Sequence, residues 1–122
     1  MKIEYRKENG VEIAVISSDT PVVASARDAL ELAMNIQHEK GVNRLAIEKS
    51  AVAEEFFVLS TGLAGEILQK FINYHVKAAF WGDYSRYTSK PLQDFIYESN
   101  QGNHFFFVSA KEEALKRLAE AR

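Results

Sequence analysis

Two hydrophobic periods alternate along this chain, and that alternation constrains its fold more than any other feature. Short apolar runs suited to strands recur between longer segments whose apolar residues fall at helical spacing. Residues 3–6 and Val11–Ser17 read as strands on either side of Asn9-Gly10. That dipeptide is the strongest short hairpin signal, since both positions accept positive φ. Residues 17–21 read as a loop. Ser25-Ala26-Arg27-Asp28 fits a capping box with Asp replacing the usual Glu. Ala29, Leu30, Ala33 and Ile36 follow at helical spacing, and Gly41 is a natural stop. Arg44–Glu48 reads as a short strand, whereas residues 50–57 fit either one helical turn started by Ser50 or a loop.

A second helix is expected after Ser60. Leu63, Ala64, Ile67, Leu68, Phe71 and Ile72 share one face, and Glu66, Gln69, Lys70 and Asn73 share the other. Residues 76–81 read as a buried strand ending at Gly82-Asp83, followed by the polar loop Tyr84-Ser85-Arg86-Tyr87-Thr88. Ser89 caps the next helix, with Pro91 in its first turn and Leu92, Phe95 and Ile96 facing inward. Phe105–Val108 is apolar at every position, as expected of a strand covered on both faces. Ser109-Ala110-Lys111-Glu112 is a capping box for a last helix that buries Ala114, Leu115 and Leu118. Glu112/Lys116 and Glu113/Arg117 are favourable pairs on its outer side. The order β-β-α-β-α-β-α-β-α predicts an α/β fold: one domain over residues 1–122, with a five-stranded, mostly parallel sheet, an N-terminal antiparallel hairpin and about four helices.

Composition removes several function classes. A formal net charge of -2 argues against a cationic nucleic-acid face. The chain has no cysteine, so disulfides, thiolate metal sites and thiol catalysis are excluded. Its first residues lack the apolar run of a signal peptide, and no stretch approaches the roughly 20 apolar residues of a membrane span. A cytoplasmic location is expected. No phosphate-loop, dinucleotide or nucleophile-elbow motif occurs, so no cofactor is expected. His38, His75 and His104 are scattered without ligand spacing, so no metal is expected either.

Sites in open α/β sheets gather beyond the carboxyl ends of the strands, where this chain places Glu48, Asp83 and Ser109. Beside them, Ser60, Thr61, Gly62 and Gly65 form a hydroxyl-bearing, glycine-containing helix start. Its free N–H groups and dipole suit an anion, an added phosphate or a partner loop, while the plainer role of Ser60 is an N-cap. Asp83 suits a base or a cation ligand, or an Asx-turn, which is commoner after a strand. Arg86, between two tyrosines, suits stacking or phosphate contact, or simple solvation. Glu66 and Lys70 are four apart on an exposed face, as an ion pair or as part of a partner surface. Lys90 stands four before Asp94, which gives the Asp94/Glu98 carboxylates a structural explanation.

The run Phe56-Phe57-Val58-Leu59-Ser60-Thr61-Gly62-Leu63-Ala64-Gly65-Glu66-Ile67-Leu68-Gln69-Lys70-Phe71, with Asn73-Tyr74, Gly82-Asp83, Ser89, Asp94-Phe95-Ile96, Glu98-Ser99-Asn100 and Gly102, closely resembles the bacterial domain-of-unknown-function 4180 family. That resemblance implies membership without supplying an activity. More distantly, the element order and the turn at residues 60–65 are similar to STAS domains (sulphate transporter and anti-sigma-factor antagonist). The STAS resemblance implies that Thr61 occupies the position antagonists phosphorylate and that the helix from Leu63 belongs to a partner-binding face. It also marks departures: Leu59 replaces the usual acid, threonine replaces serine, and the connection from Glu48 to Ser60 is longer.

Two readings of function follow. The first is a non-enzymatic regulatory module that docks a protein partner through the turn at residues 60–65, the polar face through Lys70 and the loop from Asp83 to Ser89. The second is a small enzyme or ligand-binding protein using Asp83, Glu66 and Arg86. Self-association as a homodimer is a third, structural reading.

Overall fold

The computed structural model describes residues 1–122. Strands β1 (Lys2–Glu8), β2 (Val11–Ser17), β3 (Arg44–Glu48), β4 (Lys77–Trp81) and β5 (Phe105–Val108) lie side by side in chain order within one sheet. β1 pairs antiparallel with β2, and every later pairing is parallel. Helices α1 (Ala26–Lys40), α2 (Leu63–Asn73), α3 (Lys90–Gln101) and α4 (Lys111–Glu120) complete the α/β architecture expected from the sequence.

Local chemistry accounts for these elements. Asn9 and Gly10 both have positive φ, 52° and 80°, which matches the hairpin turn to the twist of its strands. At the start of α1, Ser25 Oγ accepts from the Asp28 N–H at 3.0 Å. Asp28 reaches back to the N–H of Ala24, also at 3.0 Å. The N–H of Gly41 closes the other end on the Gln37 carbonyl at 2.8 Å.

Strand alternation divides the core between two faces. Ala14, Ile16, Leu45, Ile47, Ala78, Phe80, Phe105 and Phe107 meet α1, α2 and α3 on one face. Ile13, Val15, Ala46, Ala79, Phe106 and Val108 meet Ala114, Leu115 and Leu118 of α4 on the other. One hand of crossover, repeated along strands in sequential order, places all three crossover helices on the same side. β5 is therefore apolar throughout because helices cover both of its faces. Phe56 is fully buried beside Phe57, Phe80 and Phe107, with ring centroids 4.9, 5.3 and 6.2 Å away.

Several expectations are corrected. Ile72 is 45% exposed rather than buried. It lies about 100° around the helix from Phe71, which takes the inward position at that level. α4 starts one residue later than its capping box implied: Ala110 is the extended N-cap and offers no side-chain acceptor. Neither expected pair on α4 forms. Arg117 instead donates to the Asn100 carbonyl and lies 4.4 Å from the Phe106 ring centroid, while Glu112 approaches Arg6 at 3.7 Å. A guanidinium with a carbonyl and a ring available gains more there than in a solvated pair. Lys90 and Asp94 do pair, at 3.0 Å.

Candidate functional site

The segment from β3 to α2 is a run of three short 3-10 turns, Lys49–Ala51, Glu54–Phe57 and Leu59–Thr61. The loop after β2 is laced to it. The N–H groups of Val22 and Val23 donate to the Ala51 carbonyl, and that of Ala53 donates to the Val23 carbonyl. Ser50 Oγ donates to the Ser18 carbonyl at 2.7 Å, and Glu48 accepts from the Ser18 N–H at 3.3 Å. Both segments are thereby held over the carboxyl ends of the central strands.

Ser60 is not the N-cap of α2. The cap is Gly62, whose φ of 79° favours a residue without Cβ. Ser60 and Thr61 lie in the preceding 3-10 turn, outside the helix, and both are exposed. Thr61 Oγ1 lies 2.8 Å from the carbonyls of both Glu55 and Val58, to which it donates, and accepts from the Leu63 N–H at 3.2 Å. This hydroxyl locks the turn and does the capping that glycine cannot. Gly65, Glu66 and Lys70 are exposed along α2, and Glu66 and Lys70 do not pair with each other.

Asp83 makes an Asx-turn: its Oδ1 accepts from the Ser85 N–H at 2.9 Å and from the Ser85 hydroxyl at 2.6 Å. These bonds, aided by Arg86 and Lys49, hold its carboxyl below the ordinary value. Arg86 is not simply solvated. Its guanidinium lies 5.3 Å from the Tyr87 ring centroid, and Nη2 reaches Glu54 at 2.9 Å. The Tyr87 hydroxyl donates to the other oxygen of Glu54. The hydroxyl of Tyr84 donates to the Phe80 carbonyl at 3.0 Å, and burial pushes its pKa far above the usual tyrosine range.

Two concavities flank this cluster. A polar cleft of about 550 Å³ sits at the ends of β3 and β4, lined by Glu48, Lys49, Glu54, Trp81, Asp83 and Arg86 among others. A more apolar groove of about 410 Å³ runs between Phe57, Val58, Leu59 and Ser60 on one side and Arg86, Tyr87, Thr88 and Ser89 on the other. Arg86 belongs to the wall of both. Of the expected residues, the structure brings Asp83 and Arg86 together in the cleft and Ser60 and Arg86 together at the groove. Glu66 and Lys70 line neither.

Sequence reasoning missed Lys49 and Glu54. Lys49 has only 14% of its side chain exposed, and its Nζ lies 5.0 Å from the Phe57 ring centroid and 4.8 Å from that of Tyr87. Its stem packs on Gly82. Its position directly after a strand was the available signal; its aromatic partners come from later segments that no local pattern connects to it.

Sheet, helices and cleft define a three-layer α/β fold with a polar depression over the carboxyl ends of its parallel strands. The chain belongs to the family described as Domain of unknown function (DUF4180), which matches residues 8–118. No curated protein and no solved structure matches it.

Proposed function

We propose that this protein is a non-enzymatic binding module that docks a protein partner in the groove between the turn at residues 57–60 and the loop at residues 86–89. The observation that carries this reading is the joint lining of one groove by two distant segments, with Val58 49% exposed in its wall. An exposed valine beside Leu59, Pro91 and Leu92 suits an apolar side chain presented by a partner, and Ser60, Thr88 and Ser89 supply polar contacts at the rim. Lys49, Arg86 and Tyr87 converge on Glu54 from the other side of the wall, which supports a stiff recognition surface rather than a reacting centre. Thr61 fits this reading as the latch of the turn. A phosphate on its hydroxyl removes the donor that holds Glu55 and Val58, so modification acts by opening the groove wall.

Affinity capture from the native cell tests the proposal. Proteins retained by the wild type should fall about tenfold with Val58→Asp or Thr88→Lys, with circular dichroism unchanged. Equal recovery by the variants refutes the groove. Thr61→Glu should reduce capture as the groove substitutions do, and Thr61→Ser should not.

A further inference from the structure

The polar cleft carries groups of both signs that have no partner within the protein. Glu48 uses Oε1 for the Ser18 N–H, and Asp83 uses Oδ1 for Ser85, which leaves Glu48 Oε2 and Asp83 Oδ2 without protein donors. Neither carboxylate forms an ion pair. On the cationic side, Arg86 bonds only through Nη2, so Nε and Nη1 donate to nothing in the protein. Lys49 Nζ makes no hydrogen bond; its nearest carboxylate, Glu54 at 3.7 Å, is the one Arg86 already holds. All four side chains line the same cleft, with Trp81 and Val52 as its apolar lining.

We propose that this cleft binds a small zwitterion of the amino-acid class, its carboxylate on Arg86 and Lys49 and its ammonium between Glu48 and Asp83. The argument is one of complementarity. An anion alone meets three carboxylates, Glu48, Glu54 and Asp83, while a cation alone meets Lys49 and Arg86. A molecule with both charges satisfies each set and leaves the Arg86–Glu54 pair in place. Nε and Nη1 of Arg86 remain as single donors to a carboxylate beside the Lys49 ammonium, and the site's size lies within the roughly 300–1,000 Å³ of small-molecule sites. Few apolar side chains line the cleft, so recognition rests on the ligand's charged end more than on its side chain. This inference concerns the cleft and does not rest on the docking groove, with which it shares the Arg86 wall.

The chain's single tryptophan lines the cleft and reports on it. Non-aromatic proteinogenic amino acids, acetate, methylamine and inorganic phosphate are titrated against Trp81 emission, up to about 10 mM each. At least one amino acid should give a saturable change, and the three single-charge probes should give none. Arg86→Gln and Asp83→Asn should each weaken that affinity about tenfold with circular dichroism unchanged, and Val58→Asp should leave it intact. Three results overturn the assignment: no response to any amino acid, an equal response to a single-charge probe, or affinity indifferent to both cleft substitutions.

Discussion

The side-chain amide of Asn100 makes both outward hydrogen bonds of Phe107, donating to its carbonyl at 3.0 Å and accepting from its N–H at 2.8 Å. β5 lies at one edge of the sheet, and Asn100 stands where a further strand would pair. Asn100→Ala leaves both groups of Phe107 without partners. We expect a loss of about 2–4 kcal/mol in urea unfolding. Asn100→Asp keeps the acceptor but sets a carboxylate oxygen against the carbonyl, so it should also destabilise and should recover as the carboxylate protonates.

Gly82 and Gly65 should respond oppositely to alanine. A Cβ at Gly82 would lie 2.6 Å from Lys49 Cβ, an atom too close to the backbone to swing aside. Gly82→Ala should therefore cost about 1–3 kcal/mol. Around Gly65 there is nothing within 4 Å, and its position in the first turn of α2 tolerates a methyl group. Gly65→Ala should stabilise by about 0.5–1 kcal/mol. Midpoints of chemical unfolding distinguish the two signs.

Thr61→Ala removes the hydroxyl that joins Glu55, Val58 and Leu63. It should cost about 1 kcal/mol and raise amide exchange at Leu63. Thr61→Ser keeps the hydroxyl and should cost only a few tenths of a kcal/mol.

Asp83 makes one limb of the acid stability profile assignable. Its carboxyl titrates below the ordinary 3.8, first because Ser85 donates to it. A depressed folded-state pKa contributes stability that is fully present above the unfolded value and lost as pH falls through the folded value. The melting-temperature gap between wild type and Asp83→Asn should be present at about pH 6 and close below 3.8. Ser85→Ala should move the Asp83 carboxyl back toward its ordinary value in an NMR titration.

Much of the fold was legible because its signals are local. Asn9-Gly10, the Ser25 cap and Gly41 each act within four residues, and each appears as expected. Misreadings arose where two local signals competed. Ser60 looked like a cap, but the chain turns through Gly62 and uses the hydroxyl of Thr61 from outside the helix. Ser109 lost its role to a start one residue later. The Asx-turn at Asp83 was legible because it spans two residues. The convergence of Arg86 and Tyr87 on Glu54 was not, because it spans 32 and 33 positions of chain.

Sequential strand order sets how such a chain is assembled. Each strand settles beside its predecessor, so β-α units add one at a time without waiting for a distant segment. The far side is the exception: Ile13, Val15, Ala46, Ala79, Phe106 and Val108 share a single roof, α4. Until residues 111–120 have left the ribosome, a greasy half of the sheet stands open to water and to other nascent chains. Helix α4 is therefore the closing step of this sheet's packing.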